Sequence, residues 1–497
     1  MLTTKYDQLD VSTNYLPILV NQVLIERTFE IAQSLGPGFP VLSVITGTKP
    51  DFYKQAPLLA EAVKQNVPVF VIDTGQHYDE LLGHGISEFG IDRLVGCNLQ
   101  IRGNLVEKAT ELLFKFAKFG RICKSEFPHN SILPIVHGDT LVAGITPLSW
   151  LFGMGQKVAQ NEAGLRSMSP LATKSLRLGE PTAGEVEQFV NSQLEKKSWF
   201  LAREEPFPEQ VDTWICSAGT QYFFAPTKLN FENLVREGYP EENIYVVGNS
   251  VVDAIKIKRK TKPKLSIFDV YPELVTSASK STLMQCREEW IRVDIHRREN
   301  LTRSRFFIII ESLVRLVKMG YKIILIKLTA TEHALMRYGL ADTLNKLAAE
   351  YPYNFIQTAL WKEYGHVVEF LDSGSCWLEL TDSGSMQEEL LYFPKVNCIT
   401  VRLNTDRPET VFAAKGNILS PPIDSSWIVD IVRWADQGKL PNSTGKPKNK
   451  IYGEPGTVSR AVIKIIKRHF EEDHNFFPWL HNRLRLSKET DLEFSYL

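Results

Sequence analysis

The sequence contains few cysteines, and none of them form a close pair. Its 497 residues include six cysteines, and no two have the CxxC spacing. Structural zinc sites and disulfide-stapled domains both depend on closely spaced or numerous cysteines, so the sequence excludes both kinds of scaffold. Scattered thiols are typical of proteins in a reducing compartment, and we therefore expect a cytoplasmic location.

Long apolar runs are also missing. A membrane-spanning helix needs about 18 or more consecutive apolar residues. The apolar segment at residues 16–20 is too short and contains Pro17. Residues 1–10 lack the basic segment and apolar core of a signal peptide, so we expect neither a signal peptide nor a membrane partner.

Charge of one sign is not in excess, and several cofactor motifs are absent. The formal net charge is −1, which gives no basic surplus for nucleic acid, and we expect no nucleic-acid partner. The GxGxxG pattern does not follow the first predicted strand, which argues against a dinucleotide enzyme. HExxH and EF-hand patterns are absent too. We expect no cofactor and no metal.

What the sequence does contain is an alternation of strands and helices. A chain of this length exceeds a single hydrophobic core, so two domains are expected. Continuous apolar runs at 39–45, 67–72 and 132–136 predict buried parallel strands, with helical patterns between them. A second series begins at Ile291. The predicted fold class is α/β, with two doubly wound Rossmann-like domains.

Changes in composition predict the domain boundaries. Residues 1–38 form a helical extension, 39–256 the first Rossmann-like domain, 257–282 a linker rich in Lys, Pro and Ser, 283–450 the second Rossmann-like domain, and 451–497 a C-terminal helix and tail that pack back on the body. A polar, charged insertion at 171–206 interrupts the first domain. We interpret it as a solvated surface excursion or lid.

A turn of small residues in the second series is the strongest binding motif. Residues 381–385 (TDSGS) follow an apolar run and precede a helical pattern from Met386 to Leu391. Ser383, Gly384 and Ser385 would leave backbone N–H groups open to a phosphate, and serine hydroxyls add donors. Glu389 lies in the first helical turn and can accept hydrogen bonds from a ribose. An ordinary strand-to-helix connection with a serine cap would explain the same residues.

Three carboxylates in the first series stand where acid–base chemistry is expected. Asp139 and Glu162 follow successive strands, and Glu209 opens the next helix after the insertion. Since the carboxyl ends of parallel strands share one edge, the three can converge on one crevice and move a proton on carbon. Crowding would raise the pKa of at least one of them. Any one alone could instead cap a helix or pair with an arginine.

Cationic residues could hold a diphosphate beside them. His296 and Arg297 lie in the turn HRRE at 296–299, directly after a strand. An imidazole and guanidinium groups can neutralise a diphosphate and help it leave without a metal. Arg407, Lys49 and Lys54 are further candidates. A surface Arg–Glu pair of little energy is the alternative interpretation of this turn.

Taken in order, these motifs resemble the non-hydrolysing UDP-N-acetylglucosamine 2-epimerase family. The matches are GTKPD at 47–51, QH at 76–77, HGDT at 137–140, EAGLR at 162–166, PE at 208–209, GNSVVDA at 248–254, HRRE at 296–299, TDSG at 381–384, QEE at 387–389 and DRPE at 406–409. The resemblance implies a GT-B-type fold, in which two Rossmann-like domains face each other across a cleft and the second binds UDP.

The resemblance also implies a reaction. A base removes the C2 proton of the sugar while UDP leaves C1, and UDP then re-adds with protonation from the other face. UDP-GlcNAc would become UDP-ManNAc, for surface-polysaccharide biosynthesis, in a cytoplasmic homodimer. The implied catalytic residues are Asp139, Glu162, Glu209 and His296. The implied UDP-sugar contacts are Lys49, Lys54, Arg297, Ser383, Gly384, Ser385, Glu389 and Arg407, and Gln76 and His77 match an allosteric UDP-sugar site.

The chain departs from the family at several motif positions. Gln160 stands where the family has His, Gln210 and Thr213 replace a Glu and an Arg, and Ser385 replaces a Gly. Leu328 occupies about the position of the second-domain allosteric His. A hydrolysing epimerase that releases free N-acetylmannosamine and UDP, a GT-B glycosyltransferase, and a non-catalytic UDP-sugar-binding paralogue remain as alternatives.

Overall fold

Two large, mainly parallel sheets flanked by helices form the protein, with a small antiparallel pair of strands, Met168–Pro170 and Trp199–Leu201, in the insertion region. The structure, a computed structural model, describes residues 15–75, 85–203, 205–275, 288–441 and 450–472. The strands of the first half are β1 (Leu19–Val20), β2 (Val41–Thr46), β3 (Val69–Asp73), β4 (Val95–Asn98), β5 (Ile132–His137), β6 (Val158–Asn161), β7 (Met168–Pro170), β8 (Trp199–Leu201), β9 (Thr220–Ala225) and β10 (Ile244–Val246). The helices are α1 (Gln22–Leu35), α2 (Lys49–Lys64), α3 (Leu105–Glu126), α4 (Leu141–Met154), α5 (Ala183–Ser192), α6 (Glu209–Ala218), α7 (Lys228–Arg236) and α8 (Val251–Lys260).

The first sheet is doubly wound. Its strand order is β1-β4-β3-β2-β5-β6-β9-β10, and its pairs are parallel apart from β1 with β4. Every residue of β2, β3 and β5 is buried, because helices cover both faces of the sheet. Strands that are buried on both sides must be apolar on both sides, which explains the continuous apolar runs of the sequence.

The second sheet has the same construction. Its strands are β11 (Trp290–Asp294), β12 (Lys322–Lys327), β13 (Phe355–Ala359), β14 (Cys376–Thr381), β15 (Asn397–Thr400) and β16 (Asn417–Leu419), in the order β13-β12-β11-β14-β15-β16 and all parallel. Its helices are α9 (Ile267–Val270), α10 (Arg303–Lys318), α11 (Thr329–Arg337), α12 (Ala341–Glu350), α13 (Tyr364–Ser373), α14 (Gly384–Glu389), α15 (Glu409–Phe412) and α16 (Ser425–Asp436).

The chain then returns to the first half through α17 (Val458–Glu472). Val462, Ile463, Ile466 and Phe470 of this amphipathic helix are buried in the core of the first sheet. Phe470 meets Phe39 edge to face, with ring centroids 5.9 Å apart. Of the predicted segment 451–497, residues 473–497 lie outside the described part of the chain. Among the described residues, we find no helix long and apolar enough to span a bilayer.

The sequence pattern of residues 332–351 predicts one continuous helix, and this prediction is wrong. The structure has two helices there, α11 and α12, and Gly339 lies between them with φ +69°. This left-handed conformation is open to glycine and interrupts the helical hydrogen bonds. The helix after the small-residue turn also begins earlier than predicted, at Gly384 instead of Met386.

The insertion is not a solvated excursion. Val186, Phe189 and Val190 of α5 are at most 2% exposed and lie in the core of the second sheet. Phe189 meets Trp427 of α16 edge to face, with centroids 5.4 Å apart. The positions 186, 189 and 190 recur at helical spacing, so one face of α5 is apolar although the segment is polar on average. The insertion therefore belongs to the packed structure.

Hydrogen bonds fix the insertion to the edge of the second sheet. The Gln193 side chain donates to Leu419 O (3.1 Å) and accepts from Leu419 N (2.8 Å). The amide thus satisfies backbone groups of the edge strand β16, as a neighbouring strand would. Before the insertion, Met168 and Thr405 exchange two backbone hydrogen bonds of 2.8 Å. The segment therefore ties the first half of the chain to the loop that carries Arg407.

Removing an aromatic side chain of the insertion should be costly. We expect Phe189→Ala to lower the free energy of unfolding by about 3–5 kcal/mol, because it leaves a cavity in the core. Urea unfolding followed by circular dichroism measures this. Leu178→Ala is the matched control in the same segment, because Leu178 is 88% exposed. If both variants unfold as the wild type does, the insertion contributes nothing to the core.

Candidate active site

Arg407 lies at the centre of the contact between the two halves of the chain. It is buried, and its guanidinium donates to Asp139 Oδ2 (3.1 Å), Glu162 Oε2 (3.3 Å) and Glu388 Oε1 (2.9 Å), as well as to Asp406. Asp139 and Glu162 come from the first half, whereas Glu388 lies in α14 after the small-residue turn. The Arg407 guanidinium thus connects Asp139 and Glu162, two of the three predicted carboxylates, to the helix that follows the small-residue turn.

Lys54 makes a second bridge across the same contact. Its Nζ lies 2.5 Å from Glu162 Oε1 and 2.7 Å from Glu388 Oε2, and both pairs are almost fully buried. Burial opposes the charge, but the two carboxylates outweigh it and raise the pKa of Lys54 to about 12. Lys54 therefore stays protonated and cannot act as a base here.

Glu162 is held as a carboxylate by the groups around it. Besides Arg407 and Lys54, it accepts a hydrogen bond from Asn249 Nδ2. Burial would favour the neutral acid, but Lys54 and then His137 hold the pKa of Glu162 well below its usual range. Its backbone has φ +63°, a conformation that costs a non-glycine residue energy. Such strain is typical of functional positions.

His137 connects Glu162 to the start of α2. Its Nδ1 lies 2.9 Å from Asp51 Oδ1 and its Nε2 lies 3.2 Å from Glu162 Oε2. The other Asp51 oxygen accepts from the backbone of Gly47 (3.2 Å) and Thr48 (2.8 Å). Burial lowers the pKa of His137, but Glu162 and Asp51 more than compensate and raise it to about 9. A charged imidazole thus joins two carboxylates.

The stability of the protein should consequently depend on pH through His137. Since its folded-state pKa of about 9 lies above the ordinary 6.5, its contribution is complete below pH 6.5 and is lost as the pH rises through 9. We expect the free energy of unfolding to fall less over this window in His137→Asn than in the wild type. Urea unfolding at pH 6, 7.5 and 9 tests this. The exposed His333, changed to Asn, is the control, and an unchanged slope in His137→Asn would contradict the assignment.

Asp139 is a carboxyl group of the Arg407 cluster with a pKa near neutral. It follows β5 and is buried. Burial and the nearby Asp406 carboxylate raise the pKa of Asp139 to about 6, against the opposing effect of Arg407. A carboxyl with a pKa close to neutral can both take and return a proton at physiological pH. Crowding by carboxylates thus contributes to the raised pKa of Asp139, whereas burial is its largest cause.

Glu209 approaches from α6 and is held by the cationic turn. Arg297 Nη1 donates to Glu209 Oε1, whereas the buried Oε2 has no hydrogen-bond partner among the described residues. Asp382 organises the turn by accepting from the backbone of His296 (3.1 Å) and Arg297 (3.0 Å). The His296 ring lies against the same carboxylate, with Nδ1 3.2 Å from Asp382 Oδ1.

The small-residue turn at residues 381–385 lies in close contact with Arg407. Ser383 caps α14, and its backbone N–H donates to Thr381 Oγ1 (2.9 Å). A Cβ on Gly384 would lie 3.2 Å from the Arg407 guanidinium carbon, so glycine permits this close approach. Burial raises the pKa of Tyr53 in α2, and the Ser385 side chain opposes this shift, so the two residues lie close together. The turn therefore faces the first half of the chain.

Glu389 and Lys49 lie beside the turn but outside the carboxylate cluster. Glu389 accepts from the Tyr364 hydroxyl (2.9 Å), and burial raises its pKa to about 7. Tyr364 stacks on Tyr53, with ring centroids 4.4 Å apart. Lys49 Nζ donates to Trp361 O (3.2 Å), and burial lowers its pKa to about 8. Gln76 and His77 fall in the stretch 76–84, outside the described residues.

Three side chains at positions that depart from the family pattern hydrogen-bond to residues near Asp139 and Glu162. Gln160 donates to Gly138 O (2.9 Å), next to Asp139. Thr213 accepts from Arg166 Nη1 (3.2 Å), and Gln210 accepts from the Ser167 backbone (2.8 Å). These side chains hold the turns around Asp139 and Glu162 and do not reach the Arg407 cluster.

Sequence reasoning did not select several residues that the structure brings into the cluster. They are Asp51, His137, Asn249, Asp382, Glu388 and Asp406, and each lies inside one of the quoted motifs. The motifs therefore carried the signal. The motifs do not show which side chains pair with each other, because the contact between the two halves of the chain defines those pairs.

Comparison with known proteins identifies the family. The protein-family model described as UDP-N-acetylglucosamine 2-epimerase matches residues 201–467, more than half of the chain. The chain belongs to this family. The UDP-N-acetylglucosamine 2-epimerase of Methanocaldococcus jannaschii is 28% identical over 382 residues, which cover 74% of this chain and 86% of that protein. The Salmonella typhimurium enzyme of the same name is 26% identical over 431 residues, 86% of this chain and 98% of that one.

Solved structures confirm the fold class. The crystal structure of the M. jannaschii UDP-GlcNAc 2-epimerase in complex with UDP-GlcNAc and UDP has a TM-score of 0.65 at 24% identity, covering 86% of this chain and 99% of that one. The Neisseria meningitidis enzyme bound to UDP-GlcNAc has a TM-score of 0.64 at 22% identity, covering 86% of this chain and all of that one (100%). The two α/β halves thus form the GT-B-type fold of UDP-N-acetylglucosamine 2-epimerases, and the protein is an enzyme of that family.

Proposed function

We propose that the enzyme converts UDP-GlcNAc to UDP-ManNAc by elimination and re-addition of UDP. The observation that carries the proposal is the set of contacts made by Arg407. Its guanidinium touches Asp139 and Glu162 on one side and Glu388, beside the small-residue turn, on the other. A UDP held by that turn would present its sugar to the carboxylates of the first half.

Binding of UDP is assigned to the second half of the chain. The backbone N–H groups of Gly384 and Ser385 and the Ser383 hydroxyl suit a phosphate, whereas the Ser383 N–H donates to Thr381 Oγ1. Glu389 suits the ribose. His296, Arg297 and Arg407 neutralise the diphosphate, with Lys49 and Lys54 adding charge from the first half. Arg297 is paired with Glu209, so the diphosphate would compete with Glu209 for Arg297 and release Glu209 for chemistry.

The carboxylates are assigned to the sugar. One of Asp139 and Glu209 takes the C2 proton while the C1–O bond to UDP breaks and a C1=C2 double bond forms. The other returns a proton to the opposite face of C2 as UDP re-adds at C1. Glu162, which stays ionised, stabilises positive charge that develops at C1 as UDP departs. His296 beside the diphosphate assists the departure.

Product analysis tests the proposal and separates it from its alternatives. Purified protein is incubated with UDP-GlcNAc, and the products are followed by proton and phosphorus NMR. UDP-ManNAc that reaches equilibrium with UDP-GlcNAc is the expected result. Free N-acetylmannosamine with stoichiometric UDP would instead identify a hydrolysing epimerase. Unchanged UDP-GlcNAc that reacts only when an acceptor sugar is added would identify a glycosyltransferase.

The same proposal includes the biological setting implied by the family. We assign the enzyme to the cytoplasm, where UDP-sugars are made, and to the supply of surface-polysaccharide precursors. A homodimer is part of the proposal. Sedimentation velocity of the full chain tests it, since a monomer at every concentration would contradict it.

A further inference from the structure

A buried carboxyl group close to the candidate catalytic pair has no place in the reaction proposed above. Asp212 lies on α6, one helical turn after Glu209, so the two side chains share one face of the helix. The residue is 3% exposed, and its Oδ2 has no hydrogen-bond partner in the described part of the structure. A buried polar atom without a partner is costly and requires an explanation.

The surroundings of Asp212 bring it close to Asp139 as well. A Cβ on Gly144 would lie 2.7 Å from Asp212 Oδ1 and 3.0 Å from its Cα, so Asp212 packs against the first turn of α4. Asp139 stands two residues before that helix begins. Helix α4 contains no ionisable side chain (LVAGITPLSWLFGM), so Glu209, Asp139 and Cys216 are the ionisable groups recorded around Asp212.

The electrostatics of this site favour a neutral Asp212. Burial raises the pKa of Asp212 to about 8, and the charges of Glu209 and Asp139 add to the effect. Glycine at 144 leaves room for the carboxyl, and no cation among the described residues pairs with it. Asp212 therefore differs from Glu162, which several cations keep ionised.

An epimerase that uses two carboxyl groups on opposite faces of C2 must restore both after each turnover. The group that took the C2 proton ends protonated, and the group that gave a proton ends ionised. The next turnover in the same direction needs the opposite arrangement. Because Asp139 is buried, direct exchange with water is hindered. A neutral carboxyl that feels the charges of both groups, as Asp212 does, would allow the exchange inside the protein.

We propose that Asp212 is the positioning residue that returns the proton between Glu209 and Asp139 after each turnover. Asp212 passes its own proton to the ionised carboxylate and takes the proton of the protonated one. One O–H bond forms and one breaks at Asp212, so its own state is unchanged at the end. This inference rests on the proposed epimerisation and deepens it, since it assigns a role to a residue that does not touch the sugar.

Single-turnover and steady-state kinetics of Asp212→Asn test the proposal. Asparagine preserves the shape of a neutral aspartic acid but cannot carry the proton. We expect the first turnover of UDP-GlcNAc to keep nearly the wild-type rate, and kcat to fall by about tenfold or more. KM should fall with kcat, because the slow step follows product formation and leaves kcat/KM unchanged. Rapid-quench experiments should then show a burst of product that equals the enzyme concentration. Asp212→Glu, which keeps a carboxyl, should restore part of kcat and remove the burst.

Other outcomes overturn the inference separately from the proposed function. If Asp212→Asn keeps the wild-type kcat, or slows the first and later turnovers equally, Asp212 does not return the proton. If the wild-type enzyme itself forms no epimer, the proposed function fails instead. Asp212→Ser also removes the carboxyl and replaces Asp212→Asn in the experiment should that variant not fold. Val211→Ala, at an exposed position of the same helix, is the control and should behave as wild type.

Discussion

Asp139→Asn is expected to lose activity by about 10²–10⁴-fold in kcat, the range typical of a removed general acid or base. The residue is buried at the end of β5, and its pKa of about 6 suits proton transfer at neutral pH. Asparagine keeps the size of the side chain and can still face Arg407, which retains Glu162, Glu388 and Asp406 as partners. UDP binding should therefore stay close to that of the wild type.

Two measurements separate the loss of chemistry from a loss of structure. Isothermal titration with UDP should give nearly the wild-type Kd, while epimer formation measured by NMR should be strongly reduced. Asp92→Asn, at an exposed position of the first half, is the matched control and should keep full activity. A variant Asp139→Asn with wild-type kcat would remove Asp139 from the proposed mechanism.

Lys54→Met is expected to have the largest effect on stability. The change leaves the buried carboxylates of Glu162 and Glu388 without the cation that lies 2.5 Å and 2.7 Å from them. Removing one partner of a buried ion pair costs about 3–5 kcal/mol, because the remaining charge stays desolvated. Urea unfolding at pH 7.5 measures the loss. Lys64→Met is the control on the same helix, because the Lys64 side chain is 64% exposed.

A second substitution should restore part of this stability. Glu388→Gln removes one of the two buried charges that lose Lys54, so the double variant should be more stable than Lys54→Met alone. The coupling between the two sites should be about 1–3 kcal/mol, as for other residues in direct contact. Glu162 keeps His137 and Arg407 as partners in that variant. If the two effects simply add, the pair Lys54–Glu388 does not hold the halves of the chain together.

The fold was largely predictable because a strand that is buried on both faces has a continuous apolar sequence. Strands such as β2 and β5 are continuous apolar runs, and both were predicted within two residues of their bounds. Strand β13 (FIQTA) was not predicted, because it lies at the edge of its sheet and Ile356 and Gln357 are half-buried. An edge strand needs no continuous apolar run, so its pattern is weaker.

The insertion was misinterpreted for a related reason. Its average composition is polar and charged, and three buried residues on one face of α5 hardly change that average. Its partners, such as Trp427 and Leu419, lie more than 200 residues further along the chain. The sequence does not reveal such distant partners, so the packing of the insertion could not be derived from its composition.

The candidate site shows the same limit. Motif order predicted which residues would converge, and the structure brings Asp139, Glu162 and Arg407 into contact. The ionisation of each carboxyl could not be read from the motifs, because it depends on which cation each one meets. Glu162 meets Lys54 and stays ionised, whereas Asp139 is buried beside Asp406 and its pKa rises. Asp212 lies outside every motif match, and its position near the site follows from its packing against Gly144 in the structure.

The central claim is that these carboxylates remove and return the proton on C2 of a UDP-linked sugar. The most direct measurement is incubation of the enzyme with UDP-GlcNAc in heavy water, followed by NMR of the sugar at C2. In enzyme already equilibrated with heavy water, the carboxyl group that gives the proton carries deuterium, so the account predicts deuterium at C2 of the UDP-ManNAc formed in the first turnover. It also predicts that Asp139→Asn abolishes the incorporation. First-turnover epimer formed by the wild-type enzyme without deuterium at C2 would contradict it.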